Sequence, residues 1–465
     1  MEQDAGIVMR QSGRITPDQM QSHIEHQFEV PPGTTVIEID FDYAPVTPVG
    51  SSFSNEVSLS LYDPFTGRGA RHNNPDHHIV LKDMGASKGY VPGPLHPGTW
   101  TVSIDVHRIM PPSSVDYRLS IRTDSAPQTA PALPFVPAAC NPRGPGWYRG
   151  DLHGHSLHSD APWDVLDFVD YARQQNLDFA TLTDHNTPSG IAECQSLADD
   201  DLLVMGGTEL TTFWGHCLTI GEHDFVDWRV SKDRTIGSIA AEEIDKGKLF
   251  IIAHPTHVGF PYCSGCDWKY PEVMPGVAKV VEVWNGDWSG IAHNDAALSL
   301  YYGWLSLGHR LVATAGSDIH APFEKDQRPG YNVVQAEALS QDAICAAIQA
   351  GRLYLSSGPK LGVTHPDSEN TTLMGQELAI KPTRLLVEWH DCPEDAIVLL
   401  KRPTDDPGSA VRSDVIAHGA RGRALVPFKP KPDYDWAAIE VRDGSGALHC
   451  LANPVFFQGN VDRTR

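Results

Sequence analysis

The chain has 465 residues, with 59 acidic against 36 basic side chains and a formal net charge of −23. An excess of that sign repels phosphate backbones and anionic lipid, which excludes long nucleic acid and a membrane surface as partners while leaving open a small phosphate gripped by metal ions. The hydrophobic fraction of 41% is enough for packed cores, and this length corresponds to about two to four domains.

Residues 1–16 hold no apolar stretch of the secretory kind, and no run of about 18 apolar residues offers a membrane span. Eight cysteines in so long a chain do not make a disulfide framework. These features point to a cytoplasmic, reducing location. Cys263 and Cys266 form the one close pair, which admits half a zinc site, a redox pair or two packed thiols; with no second ligand pair nearby, a structural role is preferred.

Residues 1–125 read as β. The runs 35–42, 57–61, 100–104 and 117–121 alternate apolar and polar side chains between Pro and Gly breaks, which predicts antiparallel strands with one wet face and a small β-sandwich. No chemistry is visible there, and His72, His77 and His78 read as surface-loop histidines. Residues 126–146 are rich in Pro and Ala and read as a linker. From 147 to 360 the pattern turns to short apolar strands alternating with helices. Strands are expected at 179–183, 202–205, 249–253, 279–284 and 311–314, with helices at 164–175, 238–246, 295–307 and 341–350. Such alternation argues for an α/β barrel or a parallel sheet. Residues 361–465 return to β, with the clearest runs at 385–389, 396–400 and 436–441, and predict a second sandwich-like module.

The central segment carries its polar chemistry at strand ends. His153 and His155 follow the first strand, in Asp151-Leu152-His153-Gly154-His155. Imidazoles two apart on an extended strand end point to one side and can chelate a single ion. Asp160, in a Ser-Asp dyad, comes just after. Asp184 and His185 end the next strand, Glu209 the third, with His216 close behind; His254 ends another, and Asp318 and His320 the last. In a barrel all parallel strands open on one face, so residues spread over the whole segment converge there. Buried acids and imidazoles in such number are destabilising unless cations compensate them, which predicts a multinuclear metal site.

As a set these motifs resemble the polymerase and histidinol phosphatase (PHP) family. The resemblance rests on Asp151-Leu152-His153-x-His155-Ser156-x-x-Ser159-Asp160, Thr183-Asp184-His185-Asn186, Glu209, Ala253-His254-Pro255 and Ser317-Asp318-x-His320. Trp147-Tyr148-Arg149-Gly150, Thr212-x-Trp214-Gly215-His216 and Glu282-x-Trp284-Asn285-Gly286 are similar to the branch grouped with carbaryl hydrolases. The resemblance covers the central segment alone. It implies a distorted (β/α)7 barrel between the flanking β modules, with two or three divalent metal ions. His153, His155, Glu209 and Asp318 would hold the first, and Glu209 would bridge to a second held by His216 and His254. Asp160, His185 and His320 would hold a third. Glu209, His185, His254 and Asp184 would carry the catalytic work, Asp184 by orienting a ligand. Ala161-Pro162 follows Ser159-Asp160 where the family pattern has glycine, which alters the loop of the third site.

Nitrogen and carboxylate donors without thiolate suit zinc first, then manganese or iron. Hydrolysis of a small-molecule ester by metal-activated water is the chemistry of such a site, and no Gly-x-Ser-x-Gly elbow suggests a serine hydrolase. The resemblance favours a phosphomonoester or phosphodiester. Against it stand few bases near the motifs, Arg149, Lys325 and Arg328, and many aromatics, Trp163, Phe213, Trp214, Trp268, Trp284 and Trp288. These suit an aryl carbamate or carboxyl ester, or simply pack the barrel. His158 and His257 read as polar-loop residues beside the site. The flanking modules either shape the pocket mouth or build a homo-oligomer. A non-catalytic binding protein is disfavoured by the intact ligand set, and a polymerase-associated exonuclease by the acidic charge.

Overall fold

The computed structural model describes residues 6–125, 136–138, 141–221, 224–271, 276–404 and 411–458. Most of the expected linker, 126–135 and 139–140, lies outside them. The chain is mixed α/β with sheets predominating over helices.

Two antiparallel sheets form the N-terminal body. One has five strands and carries Val36–Ala44 beside Val115–Asp124; the other has four and carries Glu56–Tyr62 beside Gly98–Arg108. Alternate residues of both, among them Ile37, Ile39, Leu59, Leu61, Trp100, Ile104, Leu119 and Ile121, meet in one core. The expectation of one wet face fails for Glu56–Tyr62, whose every residue is buried. Its polar face carries Ser58 and Ser60, and that face lies against the central segment, where Trp228 Nε1 donates to Ser60 Oγ at 3.3 Å.

The strands of the central segment are β1 (Gly146–Asp151), β2 (Phe179–Leu182), β3 (Leu203–Thr212), β4 (Gly215–Ile220), β5 (Leu249–Ile252), β6 (Val280–Asn285), β7 (Val312–Gly316) and β8 (Tyr331–Ala336). Its helices are α1 (Val165–Gln174), α2 (Ile191–Gln195), α3 (Ile236–Asp245), α4 (Asn294–Ser306) and α5 (Gln341–Gln349). Local chemistry sets their ends. Asp164 caps α1 and shares a capping box with Asp167, while Thr235 and Ser340 cap α3 and α5. α1 turns Val165, Phe168, Val169 and Ala172 inward, as its spacing predicts, but leaves Leu166 half exposed.

The ladder is mixed, which departs from an all-parallel reading. β1, β2 and β3 are parallel, as are β5, β6 and β7, but β4 runs antiparallel to both β3 and β5. β4 escaped the sequence reading because the hairpin from Gly206 to Ile220 is threaded with Gly, Thr, Glu and His, so it lacks an apolar run. β8 pairs antiparallel with β1 and comes back to β7 through a side chain. Asn332 Nδ2 donates to Ala315 O at 2.6 Å, and Asn332 Oδ1 accepts from Ala315 N at 3.0 Å. Asn453 does the same for Ala313, at 2.9 and 2.7 Å. Two buried amides thus bond the edge of β7 that has no backbone ladder.

Beyond β8 the sheet continues through Leu353–Ser356 into the C-terminal strands Leu448–Ala452, Tyr434–Arg442 and Ile397–Arg402. A separate four-stranded sheet, which includes Lys360–His365 and Thr383–His390, packs against them around Val387, Trp389, Val398, Ile439 and Val441. The C-terminal strands also supply Trp436, Leu451 and Phe456 to the core of the central segment.

Candidate metal centre

The turns that leave β1, β2, β3 and β7 continue the pairing past the strand ends. Thr183 N donates to Gly154 O at 2.8 Å, His155 N to Ile319 O at 3.0 Å, Asp318 N to His153 O at 3.0 Å and Asn186 N to Glu209 O at 3.0 Å. This lattice sets the side chains of all four turns on one centre. Three non-glycine residues there adopt positive φ: Asn186 at 55°, His254 at 25° and Asp318 at 52°. Each costs about 1–3 kcal/mol, a strain that concentrates at functional sites. Gly316 is required by close approach, since a Cβ there would stand 2.0 Å from Glu282 Oε1 and 2.5 Å from His153 Cβ.

All nine residues singled out as ligands are drawn together, in three overlapping groups: His153, His155, Glu209 and Asp318; Glu209, His216 and His254; and His155, Asp160, His185 and His320. Glu209 faces the first two groups with separate oxygens. Its Oε2 lies 3.2 Å from His153 Nε2 and 3.4 Å from His155 Nε2, and its Oε1 lies 3.0 Å from both His216 Nδ1 and His254 Nε2. Asp318 Oδ1 stands 3.4 and 3.0 Å from the Nε2 atoms of His153 and His155. In the third group Asp160 Oδ1 is 3.5 Å from His185 Nε2 and 3.2 Å from His320 Nε2. Donors about 2.1 Å from a common ion are spaced about 3.0–3.4 Å from each other, close to the 3.0–3.5 Å seen. His153 Nε2 and Glu209 Oε2 are buried without a hydrogen-bond partner, as donors reserved for a cation would be. The donor set fits zinc, manganese or iron.

Electrostatics agree. Burial opposes charge on every group, yet the histidines hold the pKa of Glu209 well below the usual carboxylate range, and those of Asp160 and Asp318 are also depressed. Burial likewise disfavours a charged His185, but Glu209 and Asp160 outweigh it and raise the ring to about 8; Asp160 raises His320 to about 10 in the same way. His155 moves the other way, to about 4, through burial and the neighbouring His185 and His320. Three buried carboxylates thus demand positive charge at the centre.

A second layer fixes these candidate ligands, and the sequence reading gave a role there to Asp184 alone. Glu282 Oε1 accepts from His153 Nδ1 at 3.0 Å, and its Oε2 from His254 N at 3.0 Å and Asn285 Nδ2 at 3.1 Å. Asn285 Nδ2 also reaches Asp318 Oδ2 at 3.3 Å. Asp151 accepts from the backbone of His153 and Ser317, and burial pushes it up to about 6. The signal for Glu282 and Asn285 was their place in a strand-end motif. Asp184 belongs to this layer and to none of the three groups. It accepts from Ser156 N, Ser156 Oγ and Ser159 Oγ at 2.6–2.8 Å and so shapes the loop that carries Asp160. His216 Nε2 lies 3.1 Å from Ser264 O and His254 Nδ1 3.3 Å from Cys266 O, within a turn closed by a Cys263–Cys266 disulfide. The pair is joined as a disulfide rather than packed as thiols, and both sulfurs lie close to His216.

Other expectations are redistributed. His158 bonds Ser189 Oγ at 2.8 Å and takes no part in the three groups. His257 sits beside the centre, its ring 5.4 Å from that of His254. Arg149 lies over the Tyr331 ring at 4.3 Å and donates to Gln175 O, so it does not serve the centre. Trp163, Phe213, Trp268, Trp284 and Trp288 are buried, and packing explains them, whereas Trp214 is 41% exposed. His72, read as a surface-loop residue, is buried, because the loop that carries it folds under the polar face of the N-terminal sheet.

No helix among the described residues is long and apolar enough to cross a membrane. No family model and no curated protein matches the chain. Among solved structures it is similar to a two-domain protein from Bacteroides vulgatus containing a predicted PHP-like metal-dependent phosphoesterase. The identity is 17%, over 68% of this chain and 96% of that one, with a TM-score of 0.37. It is also similar to an amidohydrolase from Chromobacterium violaceum with bound sulfate and no metal, at 16% identity over 37% of this chain and 88% of that one, with a TM-score of 0.26. Scores this low establish no shared fold by themselves.

Proposed function

We propose that the protein is a metal-dependent hydrolase of the PHP kind, in the carbaryl-hydrolase-like branch, and that it cleaves a phosphomonoester or phosphodiester. The observation that carries this reading is the position of Glu209, which turns one oxygen to His153 and His155 and the other to His216 and His254. A carboxylate so placed would hold two cations at once, and such a pair would supply the charge needed for displacement at phosphorus. The central segment, 147–360, is then a distorted (β/α)7 barrel with β4 and β8 as antiparallel departures.

When bound, two or three divalent ions, zinc first, supply Lewis acidity and a water nucleophile at neutral pH. The chain's own part is to hold and orient. His153, His155, Glu209 and Asp318 surround one position, Glu209, His216 and His254 the second, and Asp160, His185 and His320 the third. Glu282 keeps His153 in the tautomer that offers Nε2 as a lone pair. Asp184 keeps the loop of Asp160 closed. His320 is the most exposed of the nine, with 36% of its side chain accessible, so the third position is where substrate enters.

A second reading is an aryl carbamate or carboxyl ester hydrolase. It is favoured by Arg149, which packs on Tyr331 instead of offering a phosphate contact, and by the exposed Trp214. The deciding experiment measures metal by elemental analysis and runs p-nitrophenyl phosphates and naphthyl carbamates side by side, with and without chelator. Two to three equivalents of metal and chelator-sensitive cleavage are expected; metal-free, inert protein after growth in metal-rich medium overturns both readings. Glu209→Gln should lower either activity by more than about 100-fold, beyond the usual loss for an outer-layer partner.

A further inference from the structure

The N-terminal body holds four of the loops around the metal centre. Asn74 Nδ2 donates to Ser159 O at 3.0 Å, next to Asp160. Thr187 Oγ1, just past His185, donates to Gly89 O at 2.7 Å. Gln21 Nε2 donates to Phe213 O at 3.2 Å, near His216, and Arg108 Nη1 to Pro261 O at 3.0 Å. Under this roof the polar face of the four-stranded sheet presents a buried cluster of Glu56, His72 and His107. The His72 ring lies 4.7 Å from that of His185.

This cluster is not a further cation site. Arg108 Nη2 already stands 3.1 Å from Glu56 Oε2, and His107 Nε2 is 2.8 Å from Ser58 Oγ. His72 is left with an unspent atom. Its Nε2 faces Glu56 Oε1 at 3.4 Å, while its Nδ1 is buried with no hydrogen-bond partner. Arg108 Nη2 pairs with Glu56 Oε2, which leaves Oε1 to accept from His72 Nε2; that nitrogen then carries the ring proton and Nδ1 is a lone-pair acceptor. A buried acceptor without a donor is costly, and native proteins leave few of them.

We propose that His72 is a specificity-determining residue of the metal centre, contributed by the N-terminal body, and that its Nδ1 accepts a hydrogen bond from a hydroxyl or N–H group of the substrate. The proposal rests on the hydrolase reading above. A site built around a substrate hydroxyl or N–H strongly rejects the analogue that lacks it. The preferred substrate therefore carries a donor close to its scissile bond.

The test pairs probes with and without that donor, on metal-loaded full-length protein. Glycerol phosphate carries hydroxyls and p-nitrophenyl phosphate does not; N-methyl and N,N-dimethyl naphthyl carbamates form the matching pair for the second reading. His72→Ala should lower kcat/KM for the donor-bearing probe by about 10- to 100-fold, with the donor-free probe changed by less than about 3-fold on the same scale. His72→Gln, whose amide oxygen is an acceptor, should restore part of the loss. The rise in Tm caused by glycerol phosphate, compared with inorganic phosphate, should shrink in His72→Ala while metal content stays that of wild type. Equal loss on both members of a pair, no loss at all, or metal loss from both variants overturns the role of His72 and leaves the hydrolase reading standing. Wild-type protein that holds no metal and cleaves none of the four probes sinks both.

Discussion

Glu282 Oε1 and His153 Nδ1 are 3.0 Å apart, both wholly buried, with Nε2 of the same ring facing Glu209 and Asp318. A carboxylate behind a ligating imidazole fixes the ring's tautomer and raises its basicity. Glu282→Ala is therefore expected to weaken metal binding by about 10- to 100-fold. Titration of metal-free protein against a competing chelator measures it, and unchanged affinity would remove Glu282 from the working site.

The raised pKa values of His185, about 8, and His320, about 10, give the metal-free protein a definite pH dependence. Both groups bind a proton more tightly folded than unfolded, where histidine titrates near about 6.5. Their contribution is full below that value and is lost as pH rises through the folded pKa values. Metal-free protein should therefore lose Tm between about pH 6.5 and 10, whereas added zinc, whose binding displaces those protons, should reverse the slope. Thermal melts across that range, with and without metal, decide it.

Asn332 is fully buried and holds both backbone groups of Ala315. Asn332→Ala would leave a buried N–H and a buried C=O unpaired, at about 1–3 kcal/mol each. The expected loss of stability on denaturant unfolding is about 2–5 kcal/mol, accompanied by weaker metal retention, since β7 leads into Asp318. A variant as stable as wild type would show that the amide seam contributes nothing.

The turn closed by Cys263 and Cys266 presents Ser264 O and Cys266 O to His216 and His254. Freeing that turn should loosen the two rings together. The double variant Cys263→Ser, Cys266→Ser is expected to lose affinity for one equivalent of metal by about 10-fold, as outer-layer changes do. The ions held by the other groups should stay; loss of all metal at once would contradict the assignment of these histidines to one position.

Chemical type near strand ends made the nine candidate ligands legible as a set: one acid or imidazole there is more often a polar cap, but nine that converge have few explanations besides a site. The strands that carry no apolar run were hidden. β4, Gly215-His216-Cys217-Leu218-Thr219-Ile220, is short and interrupts its apolar residues with His and Thr, and its place in the sheet comes from pairing with β3 and β5, which no local pattern encodes. His72 and Glu56 were invisible for a related reason. Alternation of Ser with Val and Leu in Glu56–Tyr62 predicts a face open to water, and only the packing of one body on another turns that face inward. Glu282 lay in a quoted motif, but its role depends on His153, 129 residues away in sequence.

Main-chain bonds hold β7 to β6, but along its other edge two asparagine side chains do the bonding, and main-chain bonds resume only in the turn beyond, from His155 N to Ile319 O and from Asp318 N to His153 O. A backbone ladder parts only when a strand slides or peels. An amide releases both of its bonds in a single rotamer change. The ring therefore has one edge of lowest cooperativity, and it runs beside the strand that delivers Asp318. Opening of the centre to exchange ions should begin along that edge.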